Sequence, residues 1–183
     1  MKFLHRAAAG PTGRSVLVSG IFFVSMFSLI NGNCLGTAKL VALTEGANIL
    51  DVEFGYSLEK ASEVLSSLGE AGRAFYLTRI VPLDMIFPLS YSLFFTFSMA
   101  YAVKRIGKND LLPILALPFA TAVFDWTENA CVVAMLLQYP SLQPAIVNIG
   151  SCATIAKFVS FGACVAAFTL LTVWATIVKL HRT

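Results

Sequence analysis

Long apolar stretches alternate with short polar breaks along this chain, and the stretches exceed what a water-soluble core needs. A helix that crosses a bilayer takes about 20 mostly apolar residues. Four stretches meet that length, at residues 15–35, 80–103, 111–138 and 144–172. The last apolar run continues to Val178, so its final turns are expected to leave the membrane. The pattern predicts an all-α fold, an integral membrane four-helix bundle formed by the whole chain as a single domain. Residues 36–79 are the only sizeable polar segment. Within it Leu58, Ala61, Leu65 and Leu68 recur at helical spacing behind Ser57, a good N-cap, and Gly69 is a natural stop. This predicts an amphipathic, interfacial helix in the first outer loop. A second helix carries GRAFYLTR into the second span, with Pro82 as a point of kinking.

Composition agrees with this pattern. Of the 183 residues, 57% are hydrophobic and 13% charged, whereas soluble domains are about a quarter charged. The net charge of +3, with no Lys/Arg-rich run, argues against a nucleic-acid partner. Charge also orients the spans. Lys2, Arg6 and Arg14 precede the first, Lys104, Arg105 and Lys108 follow the second, and Lys179 and Arg182 follow the fourth. The segment from Lys39 to Arg79 holds six acids against four bases, and the loop between spans three and four has no charge. The positive-inside rule then puts both termini inside. The expected location is a bacterial plasma membrane or a eukaryotic inner membrane such as the mitochondrial one. The N-terminal KFLHRAAAGPTGR has the composition of a short organellar transit peptide, and no A-x-A cleavage site follows the first span.

Several chemistries are excluded. The two histidines, His5 and His181, lie at the chain ends, so the spans offer none for haem, zinc or a catalytic dyad. Cys34, Cys131, Cys152 and Cys164 form no C-x-x-C pair, which argues against thiol-redox chemistry. No glycine-rich phosphate loop is present.

The informative residues are charges inside the spans: Asp84, Asp125, Glu128 and Lys157. Each such charge costs about 2.5–3.5 kcal/mol at a helix centre on insertion scales, so four of them should face the bundle interior. Asp84, Pro88 and Tyr91 share one helical face, and Asp125, Glu128 and Asn129 share another. Helical rise puts Asp84 about a turn and a half below the outer surface and Glu128 roughly 15 Å below it. The four charges are therefore expected to meet in the outer half, with Arg73, Tyr76 and Arg79 above them at the mouth of a cavity under the outer loop. Three carboxylates face one ammonium. The excess acids must share a proton or bind a cation. No cofactor is predicted beyond such a bound cation. The competing expectation is a dry hydrogen-bonded network that holds the helices in register. Ala156, Ser160 and Cys164 form a small-residue stripe suited to close helix packing.

FGYS at Phe54–Ser57, GRAFY at Gly72–Tyr76, D-x-x-F-P-x-x-Y from Asp84 to Tyr91 and D-x-x-E-N from Asp125 to Asn129 occur in that order. Over roughly Asp51 to Lys157 the chain thus resembles a family of small, uncharacterised four-span membrane proteins. That resemblance implies the fold and carries no activity. In outline the chain is also similar to membrane proteins of the sterol-isomerase type, but the motif spacing differs and no chemistry is transferred. Three classes remain open. The chain binds a small ligand, lipid head group or cation, with or without catalysis; or it is a small proton-linked transporter; or it is a non-catalytic subunit of a larger membrane complex. The bilayer is a partner in each, and homo-oligomerisation stays open.

Overall fold

In a bilayer, apolar stretches of this length can satisfy their own backbone groups as helices but not as open strands. The computed structural model describes residues 10–181, and among them there are helices and no strand. Lys2, His5, Arg6 and Arg182 lie outside the described residues.

Helix α1 spans Gly13–Asn31 and starts on a reciprocal cap between Thr12 and Ser15. The short helix α2 covers Thr37–Leu43, and a 3-10 turn follows at Leu50–Val52. Helix α3, Leu58–Ser67, begins on Ser57, whose hydroxyl accepts from the Lys60 amide at 3.2 Å. Helix α4, Gly69–Phe75, runs through a π-helical turn at Tyr76–Ile80 into α5, Val81–Ile106. Pro82 sits just past that turn. A proline ring excludes the carbonyl four residues earlier, here Thr78 inside the wider turn, which takes up the conflict. Gly107, at φ 80°, ends α5. A 3-10 segment at Asn109–Ala116 leads into α6, Leu117–Gln138, and α7 covers Pro144–Leu180.

Four continuous units are long and apolar enough to cross a membrane: Gly13–Asn31, Gly69–Ile106, Asn109–Gln138 and Pro144–Leu180. The second starts eleven residues earlier than the hydropathy alone suggests, because α4 feeds through the π turn without a break.

Helix α5 is the central one. It packs on α1, α6 and α7, while α6 and α7 share the most extensive interface. Helix α1 leans on α5 and has little contact with α7. Leu17, Ile21 and Val24 of α1 and Val159, Leu170 and Val173 of α7 are exposed, as lipid-facing residues should be. Two apolar cores lie end to end. One joins Leu40, Leu50, Tyr76, Val132 and Met135. The other joins Phe95, Met99, Val103, Leu115 and Leu171. The amphipathic helix α3 buries Ala61, Val64 and Leu65 in the first of these cores, so its apolar face docks on protein. Ser160 and Cys164 of the small-residue stripe are buried.

Candidate functional site

A proline within α5 shapes the polar layer between the two cores. Pro88 has no N–H to give the carbonyl four residues earlier, that of Asp84. Unsatisfied carbonyls are unfavourable inside a bilayer, and α6 supplies the missing donor. Asn129 Nδ2 donates to the Asp84 carbonyl at 3.1 Å, and Trp126 Nε1 donates to the next one, Met85, at 2.9 Å. The motifs D-x-x-F-P and D-x-x-E-N are thus two halves of one joint: a kink that frees carbonyls and a neighbouring helix that caps them. Ser92 Oγ adds a bond to the Pro118 carbonyl at 2.9 Å.

The carboxylates divide around Lys157. Its ammonium pairs closely with Glu128 Oε2 and stands 3.8 Å from Asp125 Oδ1. Glu128 is fully buried, and its other oxygen lies 2.6 Å from the Thr154 hydroxyl. That hydroxyl is also 2.9 Å from the Gly150 carbonyl and donates to one of the two. Asp125 accepts from the Tyr91 hydroxyl at 3.0 Å on Oδ2. Asp84 is 7% exposed, and among the described residues no cation comes within salt-bridge distance of it.

A fourth acid, Asp51, comes from the loop between α2 and α3 and was not among the residues singled out from the sequence. Tyr76 donates a close hydrogen bond to its Oδ2, while Oδ1 is buried without a partner. Its signal was present: one acid inside the apolar run Ile49-Leu50-Asp51-Val52 of an otherwise polar loop. Ile49 and Leu50, which precede Asp51, are buried in the core with Tyr76 and Val132 and draw Asp51 inward behind them. Thr154 was likewise missed, although it precedes Lys157 by three residues and so shares its face.

The FGYS segment fastens this loop. Gly55 has φ 81°, and a Cβ there would lie 2.9 Å from Ile155 of α7. The Tyr56 amide donates to Ser151 Oγ at 2.8 Å. The Tyr56 ring is tucked against Gly150, where a Cβ would come within 2.6 Å of its hydroxyl. Burial pushes the Tyr56 phenol well above its ordinary value, so it stays neutral.

A cavity of about 390 Å³ opens beside this layer. Asp51, Asp84, Asp125, Tyr91 and Lys157 form its polar wall. Phe23, Phe27 and Ile30 of α1, Phe87 of α5 and Phe158 and Phe161 of α7 form the apolar one. The size suits a small ligand or a head group. Glu128 and Asn129 do not line it; they lie behind it, in the α6–α7 and α5–α6 contacts.

The three residues expected at the mouth are placed elsewhere. Arg73 donates to the Leu65 carbonyl at 2.8 Å and stacks over the Tyr139 ring at 4.1 Å, fastening α4 to the C-terminal end of α6. Arg79 is exposed and does not line the cavity. Tyr76 is 1% exposed and reaches the site through Asp51. Apart from Asn31 and Thr37 the remaining lining is apolar, because α4 and the π turn point Arg73 and Arg79 away from the cavity.

The chain matches no family model, no curated protein and no solved structure. Its function is therefore argued from its own residues.

Proposed function

We propose that this polytopic membrane protein binds a small ligand that presents a positive charge to Asp51, Asp84 and Asp125. One observation carries the reading. Three carboxylates line a cavity with a single ammonium, and that ammonium is already held by Glu128. Low dielectric makes uncompensated charge unfavourable, so the remaining acids act as a receptor for a cation. Apart from Asn31 and Thr37 the rest of the lining is apolar, which suits an organic ammonium better than a hydrated metal ion. Tyr91 and Lys157 orient Asp125, and Tyr76 orients Asp51.

Thermal unfolding in neutral detergent tests this. Alkylamines should raise the Tm of the protein, while alkyl alcohols and carboxylates of matched length should not. Asp84→Asn should abolish the rise. If no amine of any length shifts Tm, the binding reading fails. The polar layer is then a fastening between helices and the chain a structural subunit, a reading that the bonds of Asn129 and Thr154 favour.

We also propose that both termini face inside, from the distribution of Lys and Arg. Glu63 on α3 is well exposed. A cysteine placed there should react with an impermeant reagent on intact cells. Reaction only after permeabilisation would invert the orientation.

A further inference from the structure

The cavity walls show how a ligand arrives. The outer loop closes the route from water. Leu50 is fully buried, Tyr56 is wedged against α7, and Tyr76 holds Asp51 over the acids. The side between α1 and α7 is different. Helix α1 rests on α5 and makes little contact with α7. Exposed apolar residues dominate that side: Phe27 of α1, Val52 of the loop and Phe158 of α7 line the cavity, with Phe54 packed on Phe158, and Asn31 at the end of α1 is the one exposed polar side chain beside them. A rim of this kind is unsuited to a water-facing mouth and suited to hydrocarbon.

The seam continues inward. A second cavity, about 220 Å³, lies between the same three helices, with Val16 of α1, Phe94 and Ser98 of α5 and Phe168 of α7 among its lining. Between the two cavities Phe23 stacks on Phe94, and Phe95 and Phe168 meet Phe94 and each other at tilted and edge-on angles. The groove therefore carries its excess negative charge at one end only, and its middle is aromatic.

We infer that the ligand is a membrane-dissolved amphiphile with a protonated amine head, which enters sideways from the bilayer through the α1–α7 seam. This rests on the amine-binding reading above and adds the tail and the route. The head sits among Asp51, Asp84 and Asp125. The tail lies along Phe23 and Phe161 toward Phe94 and Phe168. A charge bound there is drawn out of the head-group region only because the cavity supplies uncompensated carboxylates. A neutral or anionic amphiphile has no such gain.

The test uses the full chain in neutral detergent with dodecylamine, butylamine and dodecanoate as probes, followed by an alkylamine with a photoreactive group at its chain end. Dodecylamine in hundredfold excess over its Kd should raise Tm by about 5–10 °C. Butylamine at the same concentration should give a much smaller shift, and dodecanoate none. Asp84→Asn should remove the dodecylamine shift. Asp51→Asn provides a second check should the first variant fold poorly. The photoprobe should label α5 and α7 near Phe94 and Phe168. Equal shifts from butylamine and dodecylamine would keep the amine site and overturn the tail. Labelling confined to residues 44–57 would overturn the sideways route. No shift from either amine would remove both this inference and the reading beneath it.

Discussion

The polar layer has two sides that use the same chemical group differently. On the α7 side, Glu128 is sealed from solvent with Lys157 on one oxygen and Thr154 beside the other. On the α1 side, Asp84 and Asp51 face a cavity, and among the described residues neither has a cation in salt-bridge range. Asp125 stands between, sharing Lys157 at 3.8 Å while Tyr91 holds its other oxygen. The first arrangement is what a buried ion pair needs to repay its desolvation. The second leaves carboxyl groups in a hollow without an ion-pair partner among the described residues. Helix packing explains the difference. Helices α6 and α7 meet closely and force their polar groups to pair, whereas α1 stands away from α7 and leaves room.

The largest expected break lies on the sealed side. Lys157→Met strands Glu128 as an unpaired buried charge, which destabilises by about 3–5 kcal/mol. Detergent-phase unfolding measures it. Adding Glu128→Gln should recover a substantial part, because the two residues are directly coupled. Unchanged stability in Lys157→Met would mean that the two sides do not differ.

A middle effect is expected where the loop meets α7. Gly150→Ala puts a methyl group 2.6 Å from the Tyr56 hydroxyl, and such overpacking costs about 1–3 kcal/mol. Tyr56→Phe in the same chain should relieve part of the clash. The same unfolding measurement reads both. An Ala variant as stable as the parent would show that Tyr56 does not anchor the loop.

The smallest effect on stability sharpens the open side. Asp84→Asn removes a carboxylate with no ion pair, so stability should change by less than about 1 kcal/mol in either direction. Ligand response should be lost all the same. A destabilisation as large as that of Lys157→Met would make Asp84 a fastening like Glu128.

The spans were legible because lipid enforces a simple rule: some twenty apolar residues must stand in a row. The faces were legible as well, since helical spacing alone puts Asp125, Glu128 and Asn129 on one side of α6, and all three are buried. Their different duties were not. Asn129 lies on the acidic face, yet its amide serves the Asp84 carbonyl that Pro88 leaves without a donor. Spacing gives direction around one helix and nothing about which backbone group a neighbour needs. Asp51 lay outside the reading because its reach depends on Leu50 burying itself in a core built from distant segments.

The sequence by itself determined the helices, their apolar lengths and the three acids, Asp84, Asp125 and Glu128, that stand against Lys157 in the interior of the spans, because these follow from local chemistry and the demands of a bilayer. Only the tertiary structure decided which acids are sealed and which face a cavity. That division depends on how far α1 stands from α7, a distance set by side chains from several helices packing at once.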